Sequence, residues 1–265
     1  MKTYKTSFSE KESDITIISD FKHAILRAKE CFYQQRRILE DYVLKNKHFL
    51  NSFSPVKVNT NFRIINIMAK VAEICDVGPM ASVAGTLADL MLEKMKIKSL
   101  NQVSESSTCK IALVENGGEI AIDSEKSMKV ALYAGKNELN LNLGFLIKKE
   151  DCPIGIGTSS ATIGHAISFG QADAVTIFAK NASLADAAAT KICNLVRGKD
   201  IEQSIKRGLD AVDDINDLIG AFITREDKVG RTGKLPRLIK IEGAKNNIIA
   251  GKIEDIFVDD YKIFK

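Results

Sequence analysis

Asp186 and Thr190 stand four residues apart in the run "SLADAAATKICNLV" (183–196). If that run is a helix, the carboxylate and the hydroxyl share one face, about one turn apart. Two hard oxygen donors so placed can hold a cation such as Mg2+, which binds through one or two carboxylates and leaves its other positions to water or phosphate. The same stretch also admits a local explanation. Ser183-Leu-Ala-Asp186 matches the S-x-x-D form of a capping box, in which the acid merely reaches back to the first amide of its own helix. Spacing alone leaves both readings open.

Just upstream, "GTSSATIGHAISFGQADAV" (157–175) carries Thr158, Ser159, Ser160, Thr162 and His165 among small and apolar residues. Such hydroxyls grip phosphate oxygens or close a loop on its own backbone. His165 suits a proton acceptor or a hydrogen-bonded structural side chain. Gly117 and Gly118 in "VENGGEI" (114–120) allow a backbone to approach a ligand closely, and a plain hairpin needs the same residues. "GRTGK" (230–234) is a basic glycine loop without the spacing of a phosphate-binding P-loop. Cys152, before Pro153, is a candidate thiol, as is Cys75, although a small buried core residue accounts for either.

The elements that must position these residues are legible from period. "SDITIISD" (13–20) is a short β-branched strand. Phe21, Ile25, Ala28, Phe32, Leu39 and Tyr42 recur at helical spacing, with Lys22, Lys29, Arg36 and Arg37 on the solvated side. Residues 51–61 form a polar connection. "FRIINIMAKVAEICDVGPMASVAGTLADLMLEKMKIK" (62–98) predicts helix, a break at Gly78-Pro79, and a second helix that opens with Ala81, Ser82, Ala84 and Gly85, small enough for a close neighbour. "CKIALVENGGEIAI" (109–122) predicts a hairpin, "ELNLNLGFLI" (138–147) a half-buried strand, and "AVTIFA" (174–179) another. An amphipathic helix is expected over 201–219, and terminal strands in the tail from Arg237. Helices and strands come in blocks, which indicates an α+β fold.

The chain has 265 residues, 45% of them hydrophobic, enough to bury a substantial core. Its net charge of +4 is spread among interspersed acids and bases, which argues against nucleic acid as a partner. Five cysteines, odd in number and never paired as C-x-x-C, suit reduced thiols in a cytoplasm. The opening residues lack the apolar stretch of a signal peptide, and no apolar run approaches the roughly 20 residues that span a bilayer. A soluble cytoplasmic protein without a membrane role is expected, and its small-residue helix faces suit a homodimer.

The succession "VGPMASVAGTLAD" (77–89), "VENGGEI", "GTSSATIGHAISFGQADAV" and "LADAAAT" (184–190) resembles the ApbE-related family of largely archaeal proteins and, more distantly, the ApbE flavin transferases. The resemblance implies one ApbE-like domain over 1–265, two-lobed with a boundary near residue 100, in an α+β fold related to the tunnelling fold. In the transferases, Mg2+ and FAD sit between the lobes, a Ser or Thr hydroxyl of a protein acceptor attacks the pyrophosphate, FMN is attached and AMP leaves. The family's Asp-x-x-x-Thr metal motif then falls on Asp186 and Thr190, its threonine-serine turn on Thr158, Ser159 and Ser160, and its histidine on His165 as the candidate base. Its double glycine falls on Gly117 and Gly118, and a further glycine and aspartate on Gly85 and Asp89, all as contacts to the cofactor. Two positions depart from the transferase pattern: Ala84 replaces a lysine, and Ser168-Phe169 replaces an Asp-Pro pair. The archaeal-type relatives have also been linked to assimilation of sulfide into homocysteine, an alternative that requires a functional thiol and no release of AMP.

Overall fold

The computed structural model describes residues 2–97, 109–161 and 170–241, together with the backbone of 262–264. Its centre is an eight-stranded antiparallel sheet in the order β1 (Tyr4–Glu10), β2 (Ser13–Ser19), β3 (Ile111–Asn116), β4 (Glu119–Ser124), β7 (Ile154–Ser159), β8 (Ala174–Ala179), β9 (Leu218–Arg225), β10 (Lys228–Gly233). A four-stranded sheet, ordered β11 (Arg237–Lys240), β6 (Leu143–Ile147), β5 (Met128–Ala131) and β12 (Lys262–Phe264), packs on one face. The helices α1 (Lys22–Lys45), α3 (Arg63–Cys75), α4 (Val83–Lys96), α5 (Ala182–Leu195) and α6 (Ile201–Asp213) cover the other, and α2 (Lys47–Asn51) is a single turn after α1.

Side chains alternate across a strand, so each central strand serves two cores. Ala112 and Val114 of β3 face the helices, whereas Ile111 and Leu113 face the small sheet. Val175 and Ile177 of β8 pack under α5, and Phe178 turns the other way to meet Phe145 edge-on at 4.8 Å. Burial on both faces explains why "IALV" and "AVTIFA" read as continuous apolar runs. The mixed α+β class is as expected.

Three expectations need correction. The strand predicted from Glu138 begins only at Leu143, because the chain turns through Leu141 in the left-handed region (φ 57°). The helix expected over 201–219 stops at Asp213, since the Asx-rich turn after it, with Asp217 at φ 69°, reverses the chain into β9. Strands β1, β5, β7, β9 and β10 lie outside the expected set. Their polar residues or glycines conceal a β period that pairing with neighbours restores.

Candidate functional site

Strand β7 has glycines where its neighbour has backbone. A Cβ on Gly155 would lie 2.0 Å from the Asn181 carbonyl carbon, and one on Gly157 would lie 2.6 Å from the Asp186 nitrogen. These residues let α5 rest its main chain directly on the sheet. The face they share also carries Ser159, paired opposite Val175 of the helix-side core. Thr158 points to the other face, where its hydroxyl meets that of Thr176 at 3.2 Å. The predicted hydroxyl run is therefore divided: Ser159 lies on the α5 side, Thr158 on the small-sheet side, and Ser160 just beyond the strand.

Helix α5 starts from Asn181, whose side chain accepts from the Leu184 amide at 2.9 Å and from the Ser183 hydroxyl at 2.8 Å. The capping box read at Ser183 and Asp186 does not form in that register. Asp186 instead reaches to α4, where its Oδ2 accepts from the Gly85 amide at 2.9 Å. Helix α4 has no side-chain cap of its own, so this carboxylate supplies one from 101 residues away. Asp89 answers in the opposite direction: its two oxygens accept from the Ala182 and Ser183 amides at 2.8 and 2.7 Å. Burial pushes the Asp89 carboxyl above its ordinary pKa, against the two amides that favour its charge. Gly85 lies where the helices touch, for a Cβ there would sit 2.2 Å from the Ala182 oxygen.

The glycine pair forms a two-residue turn between β3 and β4, with Gly117 at φ 59° and Gly118 at φ 119°. The end of this hairpin reaches the first turn of α4 through Asn116, which donates to the Ala84 oxygen at 3.1 Å. Glu119 is paired with Asn116 in the same register, hence on the same face, and is buried. Asn116, Glu119 and Asn181 were not singled out from sequence. Asn immediately before an alanine-rich helix was the signal for the last, while the other two depend on strand parity.

The structure thus brings Asp186, Gly85 and Asp89 together where α4 and α5 face each other, ties the Gly117-Gly118 hairpin to the start of α4 through Asn116, and leaves Ser159 on the α5 side of β7 and half-buried Thr190 one turn along α5. Thr162 and His165 lie outside the described residues. Asp186 and Thr190 are both oxygen donors, the kind Mg2+ takes. Among the described residues no three His, Cys, Asp or Glu side chains form a metal cage. A cation at Asp186 would therefore rely on water or phosphate for most of its shell, as Mg2+ usually does. The "GRTGK" segment lies elsewhere: Gly230 packs against Ile205 and Leu209, and Arg231 lines a groove of about 530 Å3 with Leu235, Pro236 and Arg237.

The thiols are poorly placed for nucleophilic work. Burial drives Cys75 up to about 12, with Asp186 adding to the rise and Lys191 opposing it, and drives Cys31 up to about 11. Half-buried Cys152 is raised by burial as well. At pH 8, folded protein is expected to leave Cys75 and Cys31 unalkylated by iodoacetamide for hours, with rapid labelling after unfolding. Peptide mapping that found Cys75 modified within minutes in the folded state would contradict this.

Similarity to known proteins agrees with this architecture. A mutant form of the flavin transferase ApbE from Vibrio cholerae superposes with a TM-score of 0.52 over 88% of this chain and 97% of its own, at 13% identity. The apo flavinyl transferase ApbE of Pseudomonas stutzeri gives 0.52 over 88% and 95%, at 11% identity. The class is therefore that of proteins with an ApbE-type fold. The family model described as AbpE bacteria matches residues 2–240. A UPF0280 protein of Methanocaldococcus jannaschii is 40% identical over 257 residues, covering 96% of this chain and 99% of its own. One from Methanococcus maripaludis is 40% identical over 245 residues, covering 91% and 95%. The chain belongs to this ApbE-related UPF0280 family.

Proposed function

We propose that the chain binds FAD or a related nucleotide diphosphate together with Mg2+ at the facing ends of α4 and α5, and transfers the flavin phosphate to a protein hydroxyl. The observation that carries this reading is the bond of Asp186 to the first turn of α4, which the double-glycine hairpin also reaches through Asn116, within an ApbE-type fold. Asp186 and Thr190 would hold the cation by their oxygens. Mg2+ bound there supplies charge to offset the pyrophosphate and the departing AMP. Ser159, Ser160 and Thr158 are the candidate hydroxyls for phosphate and flavin, Gly85, Gly117 and Gly118 provide close backbone, and His165 is the candidate acceptor of the attacking hydroxyl's proton. In the transfer, the hydroxyl oxygen bonds to the FMN phosphorus, the bond to AMP breaks, and the proton passes to the base.

Sulfide handling would need a thiol that ionises near neutral pH. Burial disfavours that at Cys75, the cysteine that senses Asp186. Isothermal titration with FAD, with and without Mg2+, tests the flavin reading, followed by an assay for AMP release with a hydroxyl-bearing acceptor peptide. Micromolar, magnesium-dependent binding is the expected result, and no binding under either condition would overturn it.

A further inference from the structure

We propose that Asp89 is a positioning residue for the cation at Asp186, a role that rests on the metal reading above and replaces direct contact between Asp89 and cofactor. Both of its oxygens are committed to backbone: Oδ1 to Ala182 and Oδ2 to Ser183. Asn181 caps only the Leu184 amide of α5, and the largely buried Asp89 carboxylate takes two further orphan amides, those of Ala182 and Ser183, from another helix. Burying that carboxylate is costly, as its raised pKa records. What the contact adds is location.

Together with the Gly85–Asp186 bond, these two form a reciprocal clamp. Gly85 and Asp89 are four apart on α4, and Ala182 and Asp186 are four apart on α5, about 6 Å along each axis. Gly85 meets Asp186 at one end, and Asp89 meets Ala182 at the other, so the helices run antiparallel here. Two attachments one turn apart stop α5 from sliding along α4 and from rotating on its own axis, which a single cap cannot do. The missing side chain of Gly85 brings the backbones into contact at the same crossing. Mg2+ demands oxygen ligands at 2.0–2.1 Å in near-ideal geometry, so freeing one end of the clamp would spoil a site without touching a ligand. Loss of such supporting groups typically lowers metal affinity by 10–100-fold.

Binding of Mn2+ to the full-length protein, followed through the free-ion EPR signal, tests this with four variants. Wild type should bind saturably, and Asp186→Ala should not. Asp89→Ala, shown to be folded by circular dichroism and a cooperative melt, should bind at least tenfold more weakly. Asp89→Asn, which keeps one good acceptor, should recover part of the loss, and it serves as the test if the alanine variant does not fold. Asp200→Ala removes an exposed cap, the acceptor for the Gln203 amide at the start of α6, and controls for lost stability alone. It should keep wild-type affinity. Folded Asp89 variants that bind within twofold of wild type, or an Asp200 variant that loses as much, would overturn the inference alone. Wild type that binds no Mn2+ would overturn it together with the metal reading.

Discussion

Asp186→Ala is expected to abolish magnesium-dependent FAD binding, a loss of at least a hundredfold in affinity or about 2.7 kcal/mol, while the protein stays folded. The reason lies in the two duties of this carboxylate. It is the charged member of the candidate donor pair, and its removal leaves only neutral oxygens for a dication that prefers carboxylates and phosphates. It is also the cap of α4 through the Gly85 amide, and removing such a cap costs about 0.5–2 kcal/mol. In a protein of this size that amounts to a fall of a few degrees in Tm. Asp186→Asn separates the duties, because an amide oxygen still accepts from Gly85 but brings no charge to the cation. It should melt near the wild-type temperature and still fail to bind FAD with Mg2+. If titration showed the alanine variant binding FAD with unchanged magnesium dependence, the cation would have to sit elsewhere.

Gly85→Ala is expected to destabilise the protein, contrary to the usual effect of such a change in a helix. Replacing a helical glycine by alanine ordinarily gains about 1 kcal/mol. Here the new methyl would stand 2.2 Å from the Ala182 oxygen and 2.9 Å from the Asp186 Cβ. The first obstacle is main chain, held on its far side by the packing of α5 on β7, so the helices must separate. Overpacking of this kind costs about 1–3 kcal/mol and sometimes more, and separation also lengthens the bonds at both ends of the clamp. A net loss of roughly 2 kcal/mol, or a Tm lower by about 5 °C, is the expected outcome of a thermal melt. Weaker Mn2+ binding should accompany it. A variant more stable than wild type would show that α4 and α5 part freely, and the clamp would then not be rigid.

Much of the frame is legible in the periodicity of the sequence. The stretches over Phe21 to Tyr42 and Phe62 to Lys98 carry apolar residues at helical spacing, and they became α1, α3 and α4 with the break at Gly78-Pro79. "AVTIFA" became β8 residue for residue, and Asn116-Gly-Gly became the turn of a hairpin. Elsewhere local pattern misled. Ile215 and Leu218 continue a helical period beyond Asp213, but the chain reverses through Asp217 in the left-handed region and gives Leu218 to a strand. Leu139 and Leu141 alternate as a strand would, yet they lie in turns before β6.

The residue types at the site, and their spacing on single elements, were properties of the sequence: Asp186 and Thr190 one turn apart on a helix, a hydroxyl run after two glycines, a double-glycine turn. Their meaning was decided in three dimensions. Strand parity divides Thr158 from Ser159, and it places Asn116 and Glu119 together on the helix face. Above all, the partner of Asp186 is an amide 101 residues distant, and those of Asp89 lie 93 and 94 residues away. A local reading offers a carboxylate only the nearest amides of its own helix, hence the capping box at Ser183. Folding brings two helix ends together across the sheet, and unsatisfied amides there draw each carboxylate to the neighbouring helix instead.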